Sequence, residues 1–128
     1  MPSRSDTPSD VVAAWRELNA AHARVCDALE HALQDRHRLS VSEYEVLQRL
    51  SEAPEEKLRM QELADDTHLS QSALSRLVGR LETVGYVERC ICDYDRRGIW
   101  AQLTDKGRSA QGEAAPTHRE VLAETLDA

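Results

Sequence analysis

Long apolar runs are absent from this sequence of 128 residues. No window approaches the roughly 18 uncharged apolar residues of a membrane-spanning helix, and residues 1–10 lack the apolar core of a signal peptide. Cysteine is scarce, and three cysteines without regular spacing do not fit a disulfide framework. We therefore expect a cytoplasmic protein with free thiols and no contact with membranes.

Residue sets for catalysis are missing as well. The sequence contains no set of nucleophile, base and orienting residue, no phosphate-binding loop and no quartet of metal ligands. This pattern predicts neither an enzyme nor a cofactor or metal site. The length fits one domain, residues 1–128.

Net charge is −7 over the whole chain, but it is unevenly distributed. Residues 57–108 contain nine basic and eight acidic residues, whereas the rest of the chain contains seven basic and fifteen acidic residues. The acidity therefore lies outside the middle of the chain, and it does not exclude a nucleic-acid partner there.

A long helix is predicted at the N-terminal end. Thr7 is a suitable cap, Pro8 suits the first helical position, and Asp10 is an acidic residue in the first turn. A narrow stripe on one face of this helix then follows, with spacings of three and four residues: Val11, Trp15, Leu18, His22, Val25, Leu29 and Ala32. A stripe of this width is typical of a contact with another helix.

Three further helices are predicted before residue 86. Ser40 and Glu43 form a capping box for a helix that ends at Pro54. A short extended piece at 58–60 and a brief helix at 61–67 follow, and Ser70 then caps a longer helix to Val84. Gly85 suits the left-handed position that closes it. The last two of these helices are separated only by a tight turn.

Two β-prone segments follow, at 86–92 and 99–103, joined by a polar stretch. They are expected to pair as a hairpin. Thr104 caps a final helix, which we expect to be interrupted or bent near Pro116. This order of elements predicts a mainly α fold of the α+β winged helix-turn-helix type, with helical arms and a wing of two or three strands.

The helix from Ser70 to Val84 has one apolar side and one polar side. We call the second the polar face: Gln71, Ser72, Ser75, Arg76 and Gly79. Such side chains suit base edges and phosphates, although a solvated amphipathic helix has the same pattern. Arg96 and Arg97 at the hairpin tip suit a minor groove, with Asp95 orienting Arg97, although an ordinary charged turn looks similar.

Taken together, these segments resemble the MarR family of bacterial transcription factors, most closely between Ser40 and Gly107. The segment 69–82, LSQSALSRLVGRLE, is similar to the family's recognition helix. The segments GYVER at 85–89, DRR at 95–97 and LTDKG at 103–107 are similar to the strand, wing and closing motif that follow it.

This resemblance implies a homodimer, most commonly a repressor, that binds a pseudo-palindromic double-stranded DNA operator and is released by a small ligand. It divides the chain into an N-terminal dimerisation helix (8–39), a DNA-binding lobe (40–103) and a C-terminal dimerisation helix (104–128) that is short for the family. DNA contacts are implied for Ser70, Gln71, Ser72, Ser75, Arg76, Arg96 and Arg97. Asp95 would orient Arg97, Arg80 would form an internal salt bridge, and Arg89 would contact the DNA backbone or pair internally.

Ligands of the family are often aromatic or phenolic acids. Side chains that suit such a pocket are Trp15, His22, Tyr44 and Arg49. A position in the core or in an interface suits Trp15 and Tyr44 better, and a position on the helix stripe suits His22 better.

Two alternatives on the same frame remain open. Cys90 and Cys92 lie on one side of a strand, where they would suit a redox or metal sensor. Cys26 instead suits a buried position on its helix. The second alternative is that the winged helix serves protein contacts alone, in which case binding to DNA would be weak.

Overall fold

The computed structural model describes residues 8–91 and 98–126. Its elements in chain order are α1 (Pro8–His37), α2 (Val41–Glu52), a short 3-10 turn (Pro54–Glu56), β1 (Lys57–Arg59), α3 (Met60–Thr67), α4 (Gln71–Thr83), β2 (Val87–Ile91), β3 (Ile99–Leu103) and α5 (Asp105–Leu126). The three strands form one antiparallel sheet in the order β1-β3-β2. The predicted fold class, mainly α with a small winged sheet, is confirmed.

Only half of the predicted stripe on α1 is covered by the rest of the chain. Leu29 and Ala32, near its C-terminal end, are buried against the core. Val11, Trp15 and Leu18, on the same face nearer the N-terminus, are 60 to 63% exposed. The apolar face of α1 therefore extends beyond the part of the molecule against which it packs.

Helix α2 begins where the capping residues predict. The backbone N–H of Glu43 donates to Ser40 Oγ at 3.0 Å, and the backbone N–H of Ser40 donates to Glu43 Oε1 at 2.8 Å. These two bonds satisfy donors that a helix start would leave unpaired. The helix then buries four side chains in the core: Tyr44, Val46, Leu47 and Leu50.

The junction between the sheet and α5 depends on two residues. Gly85 adopts φ +88°, as expected for the residue that closes α4. Its carbonyl accepts a hydrogen bond from Thr104 Oγ1 at 2.6 Å, and the same hydroxyl oxygen accepts from the N–H of Gly107 at 3.0 Å. Thr104 thus caps α5 and joins it to the end of α4.

The predicted interruption near Pro116 is wrong, because α5 is continuous from Asp105 to Leu126. Pro116 removes the hydrogen bond that Gly112 would accept, but both residues are exposed, so water can satisfy that carbonyl. The opposite face of the helix is held by packing through buried residues on both sides of the proline: Ala114, Thr117, His118 and Val121.

Polar and ring contacts join α5 to the C-terminal end of α1 and to α2. His37 Nε2 lies 2.8 Å from Thr117 Oγ1, and Arg36 pairs with Glu120 at 3.3 Å. The His118 ring stacks on Tyr44, with ring centroids 4.6 Å apart. In the described part of the chain, no helix combines the length and the apolar character needed to cross a membrane.

The buried His118 makes stability depend on pH. Burial lowers its pKa, and the charge of Arg119 lowers it further. In the unfolded chain, His118 is protonated near the ordinary pKa of about 6.5. In the folded chain its pKa is lower, so protonation requires a lower pH. The contribution of His118 to the free energy of unfolding is therefore complete above about pH 6.5 and is lost as the pH falls towards the pKa of His118 in the folded state.

We expect the melting temperature to fall more between pH 7.5 and pH 5 for the wild type than for His118→Phe. The phenylalanine ring can still stack on Tyr44 but does not titrate. Thermal unfolding followed by circular dichroism measures both profiles, and parallel profiles would contradict this role of His118.

Candidate nucleic-acid interface

Helices α3 and α4 are joined by a tight turn whose geometry the backbone fixes. His68 adopts the left-handed conformation at φ 60°, and the N–H of Leu69 donates to Ala64 O at 3.1 Å. Ser70 then caps α4, because its Oγ accepts from the N–H of Ala73 at 3.1 Å. The turn and the cap set the position of α4 relative to α3.

The polar face of α4 forms as its spacing predicts. Leu74, Leu77, Val78 and Leu81 are buried on the opposite side. Gln71, Ser72 and Arg76 are exposed, while Ser75 and Gly79 are half-buried. The structure thus brings the predicted contact residues of this helix together on one surface.

Two arginines of this region form ion pairs with residues of the same chain, as expected for Arg80 and as one of the two alternatives for Arg89. Arg80 Nε lies 3.3 Å from Glu43 Oε2, which ties α4 to the capped start of α2. Arg89 extends from β2 to α4, where its Nε lies 3.0 Å from Glu82 Oε1 and its Nη2 donates to the carbonyl of Ser75 at 2.6 Å. Neither guanidinium is a free surface charge.

The tip of the hairpin lies outside the described residues. The structure therefore does not place Asp95, Arg96 or Arg97, and their roles stay predictions. The strands that carry the tip are described: β2 pairs with β3 from Val87 opposite Leu103 to Ile91 opposite Ile99.

A surface cleft lies beside the start of α4. Its volume is about 490 Å³, and it is lined by Arg59, Met60, Gln61, Gln71, Gly98 and Ile99. It therefore joins the beginnings of α3, α4 and β3.

Two basic side chains, of Lys57 and Arg59, lie near this cleft on the outer face of the sheet. Lys57 Nζ and Arg59 Cζ lie 5.4 and 5.3 Å from the centre of the Trp100 ring, within range of cation–π contact. Sequence reasoning missed this group, because the pairing of β1 with β3 that brings Arg59 opposite Trp100 has no local signal.

The four residues expected to line a ligand pocket lie in different environments. Trp15, His22 and Arg49 are exposed, whereas Tyr44 is buried and its Oη accepts from Gln111 Nε2 at 3.3 Å. Burial also raises the pKa of Tyr44.

A second cleft, of about 170 Å³, lies between the end of α1 and α5 and is lined by Arg36, His37, Arg38, Leu39, Tyr86, Ala110 and Glu113. Neither cleft is lined by any of the four expected residues.

The described cysteines are not arranged as a reactive pair. Cys26 is half-buried, with its Sγ 3.5 Å from His22 Nε2. Desolvation, followed by the charges of nearby carboxylates, raises its pKa and so disfavours the thiolate. Cys90 is half-buried opposite Trp100, and Cys92 lies outside the described residues. Within residues 8–91 and 98–126, no three potential metal ligands cluster.

These elements define a winged helix-turn-helix: α3 and α4 form the motif, and β2 and β3 form the body of the wing. A family model described as MarR family matches residues 38–98. Sco3205, a MarR family transcriptional regulator from Streptomyces coelicolor whose structure is in complex with DNA, is 32% identical, with a TM-score of 0.87 over 98% of this chain and 79% of that chain. The chain belongs to the MarR family and is a transcriptional regulator, which confirms the resemblance found in the sequence.

AbsC and BldR are further examples among the similar solved structures. AbsC, a MarR family transcriptional regulator from Streptomyces coelicolor, is 33% identical with a TM-score of 0.85, over 96% of this chain and 82% of that one. The transcriptional regulator BldR from Sulfolobus solfataricus is 25% identical with a TM-score of 0.84, over 96% of this chain and 86% of that one. No protein with a curated function matches the sequence. Since members of this family regulate transcription, membership supports the expectation that the chain is not an enzyme.

Proposed function

We propose that this regulator binds a pseudo-palindromic DNA site as a homodimer, with the α4 helix of each copy in a major groove. The observation that carries the proposal is the exposed polar face of α4. Ser70 caps this helix, and its opposite side is buried in the core. A helix N-terminus also favours a phosphate, because its backbone N–H groups point outward. The structure of Sco3205 in complex with DNA supports DNA as the partner.

Within this mode, each residue of the interface has a role set by its chemistry. Gln71 and Ser72 at the start of α4 read base edges, and Arg76 contacts a base or a phosphate. Ser70 and Ser75 are the remaining proposed DNA contacts of this helix and its cap. At the wing, Arg97 enters the minor groove with Asp95 as its orienting partner, and Arg96 contacts the backbone.

The dimer is proposed to form through the helical arms. Val11, Trp15 and Leu18 are exposed on α1, and Leu126 near the end of α5 is 65% exposed. Exposed apolar side chains that follow one another along a helix face, as Val11, Trp15 and Leu18 do, are typical of a protein interface. Residues 8–39 and 104–128 would then be the dimerisation segments, and 40–103 the DNA-binding lobe.

Repression and ligand response complete the proposal. A dimer that occupies an operator blocks access to it, and a small aromatic acid that binds between the arms and the DNA-binding lobe would release it. The proposed ligand contacts are still Trp15, His22, Tyr44 and Arg49.

Because its target is chromosomal DNA, we place the protein in the bacterial cytoplasm. We favour ligand response over the redox or metal alternative at Cys90 and Cys92, because two thiols with no histidine or third cysteine close in sequence are a weak metal signature.

The role of Gln71 gives the direct test. A glutamine side chain can form two hydrogen bonds to adenine in the major groove, so losing it removes discrimination at one base pair. We expect Gln71→Ala to reduce the preference at one position of each half-site by about tenfold while changing affinity for random DNA less than twofold. Selection from a library of randomised duplexes, followed by titration, measures both quantities.

Gln34→Ala is the matched control, since Gln34 is an exposed glutamine on α1. It should keep the wild-type base preference. The role of Gln71 fails if Gln71→Ala and Gln34→Ala select the same sequences with the same relative affinities.

A further inference from the structure

The guanidinium of Arg89 contacts two residues of α4 that lie about two helical turns apart. Its Nη2 donates to the carbonyl of Ser75 at 2.6 Å, its Nη1 donates to Ser75 Oγ at 3.4 Å, and its Nε lies 3.0 Å from Glu82 Oε1. Between these two residues, a β-carbon placed on Gly79 would lie 3.6 Å from Nη2. One side chain of the wing sheet therefore follows the recognition helix from Ser75 to Glu82.

The backbone of Arg89 reinforces this connection. Its N–H donates to Glu82 Oε2 at 3.3 Å, so one carboxylate contacts both the strand and the guanidinium. Arg89 lies opposite Ala101 in the sheet, on the face where Val87 and Leu103 are buried. The position of α4 relative to the wing is thus fixed by polar contacts in addition to apolar packing.

Ser75 is the point where this connection meets the polar face. A serine hydroxyl has one hydrogen to donate and two lone pairs to accept with. Because Ser75 Oγ accepts from Arg89, its hydrogen is left for an acceptor on DNA. Arg89 therefore controls the direction in which Ser75 can donate without touching the DNA itself.

We propose that Arg89 is a positioning residue for sequence recognition: it orients the Ser75 hydroxyl and holds the wing and α4 as one unit against the DNA. This inference rests on the proposed function, since it assumes that the polar face of α4 reads a specific DNA site. The side chain of Arg89 is 30% exposed and its charge is paired with Glu82, so it is poorly placed to neutralise a phosphate as well.

Lysine at this position separates geometry from charge. A lysine ammonium keeps the positive charge, but it is a single point of donation and lacks the planar fork that contacts Ser75 and Glu82 together. If Arg89 acts by position, Arg89→Lys should impair recognition nearly as much as Arg89→Ala. If it acts by charge on a phosphate, lysine should preserve binding.

The experiment measures the affinity of the full chain for a selected duplex and for a random duplex across a salt series. We expect Arg89→Lys to lower the ratio of these affinities by about tenfold, the usual size of one lost hydrogen bond, with the salt slope unchanged. Arg24→Lys, on the exposed surface of α1, should leave both quantities at their wild-type values. Circular dichroism at the binding temperature confirms that each variant is folded.

A double-mutant cycle assigns the effect to Ser75. In a Ser75→Ala background, Arg89→Lys should lower the affinity ratio less than it does in the wild type, because the hydroxyl that Arg89 orients is gone. Two results would overturn the proposal: an unchanged affinity ratio in Arg89→Lys, or a salt slope that becomes shallower by about 0.9 in Arg89→Ala and is restored by lysine. A wild-type protein without any sequence preference would instead refute the proposed function.

Discussion

Replacing Gly107 by alanine is expected to destabilise the protein by about 3 kcal/mol, at the upper end of the usual cost of overpacking. Gly107 is buried in the first turn of α5. A β-carbon there would overlap the carbonyl oxygen of Tyr86 and would lie 2.9 Å from Leu103 Cδ1. The obstacle is mainly backbone, so no rotation of a side chain can relieve it.

The backbone around Tyr86 cannot easily move away. Its carbonyl accepts from the N–H of Thr104 at 3.1 Å, and its own N–H donates to Leu81 O at 2.9 Å. A shift would therefore disturb the end of α4 and the start of α5 together. For a chain of this length, we expect the melting temperature to fall by about 10 °C.

Gly112→Ala is the control, because Gly112 lies in the same helix and a β-carbon there would meet nothing within 4 Å. This variant should gain stability by about 0.5–1 kcal/mol, since alanine favours a helix interior over glycine. Thermal and urea unfolding measure both variants. Equal melting temperatures for the two would contradict the close approach of α5 to Tyr86.

A charge on the exposed stripe of α1 is expected to abolish the proposed dimer. Leu18 is 63% exposed, and Trp15 lies one turn away on the same face. In a dimer these side chains would be covered, so Leu18→Asp would bury an unpaired carboxylate at high cost. We expect a folded monomer whose affinity for the operator falls about a thousandfold, towards non-specific binding.

Ala20→Asp introduces the same charge two residues further along, on the opposite side of α1 by helical periodicity. It should remain dimeric and bind the operator as the wild type does. Light scattering gives the oligomeric state, and titration of the selected duplex gives the affinity. If Leu18→Asp stays dimeric with full affinity, the interface lies elsewhere.

Local rules were enough to predict where most elements begin and end. Ser40, Ser70 and Thr104 cap helices because their hydroxyl oxygens accept backbone hydrogen bonds within three residues, which the sequence itself encodes. Gly85 was predictable for the same reason, since a left-handed residue is needed where α4 ends. The interruption at Pro116 was wrongly predicted because packing of α5 against the core outweighs one lost hydrogen bond at an exposed position.

The candidate site was predictable only in part. The polar face of α4 follows from helical periodicity, and its residues lie where the spacing places them. The contacts of Arg89 with Ser75 and of Arg59 with Trp100 depend on tertiary packing and strand pairing between distant segments. Local sequence patterns do not indicate which of many arginines will reach a given partner.

The stoichiometry of the wild-type complex on a selected duplex shows whether this regulator binds DNA as a dimer. Duplexes are selected from a random library with the full chain, and the mass of the purified complex is measured by light scattering. We expect two chains on one inverted repeat, with half-sites about one helical turn apart. One chain per duplex, or no enrichment of any sequence, would contradict this expectation.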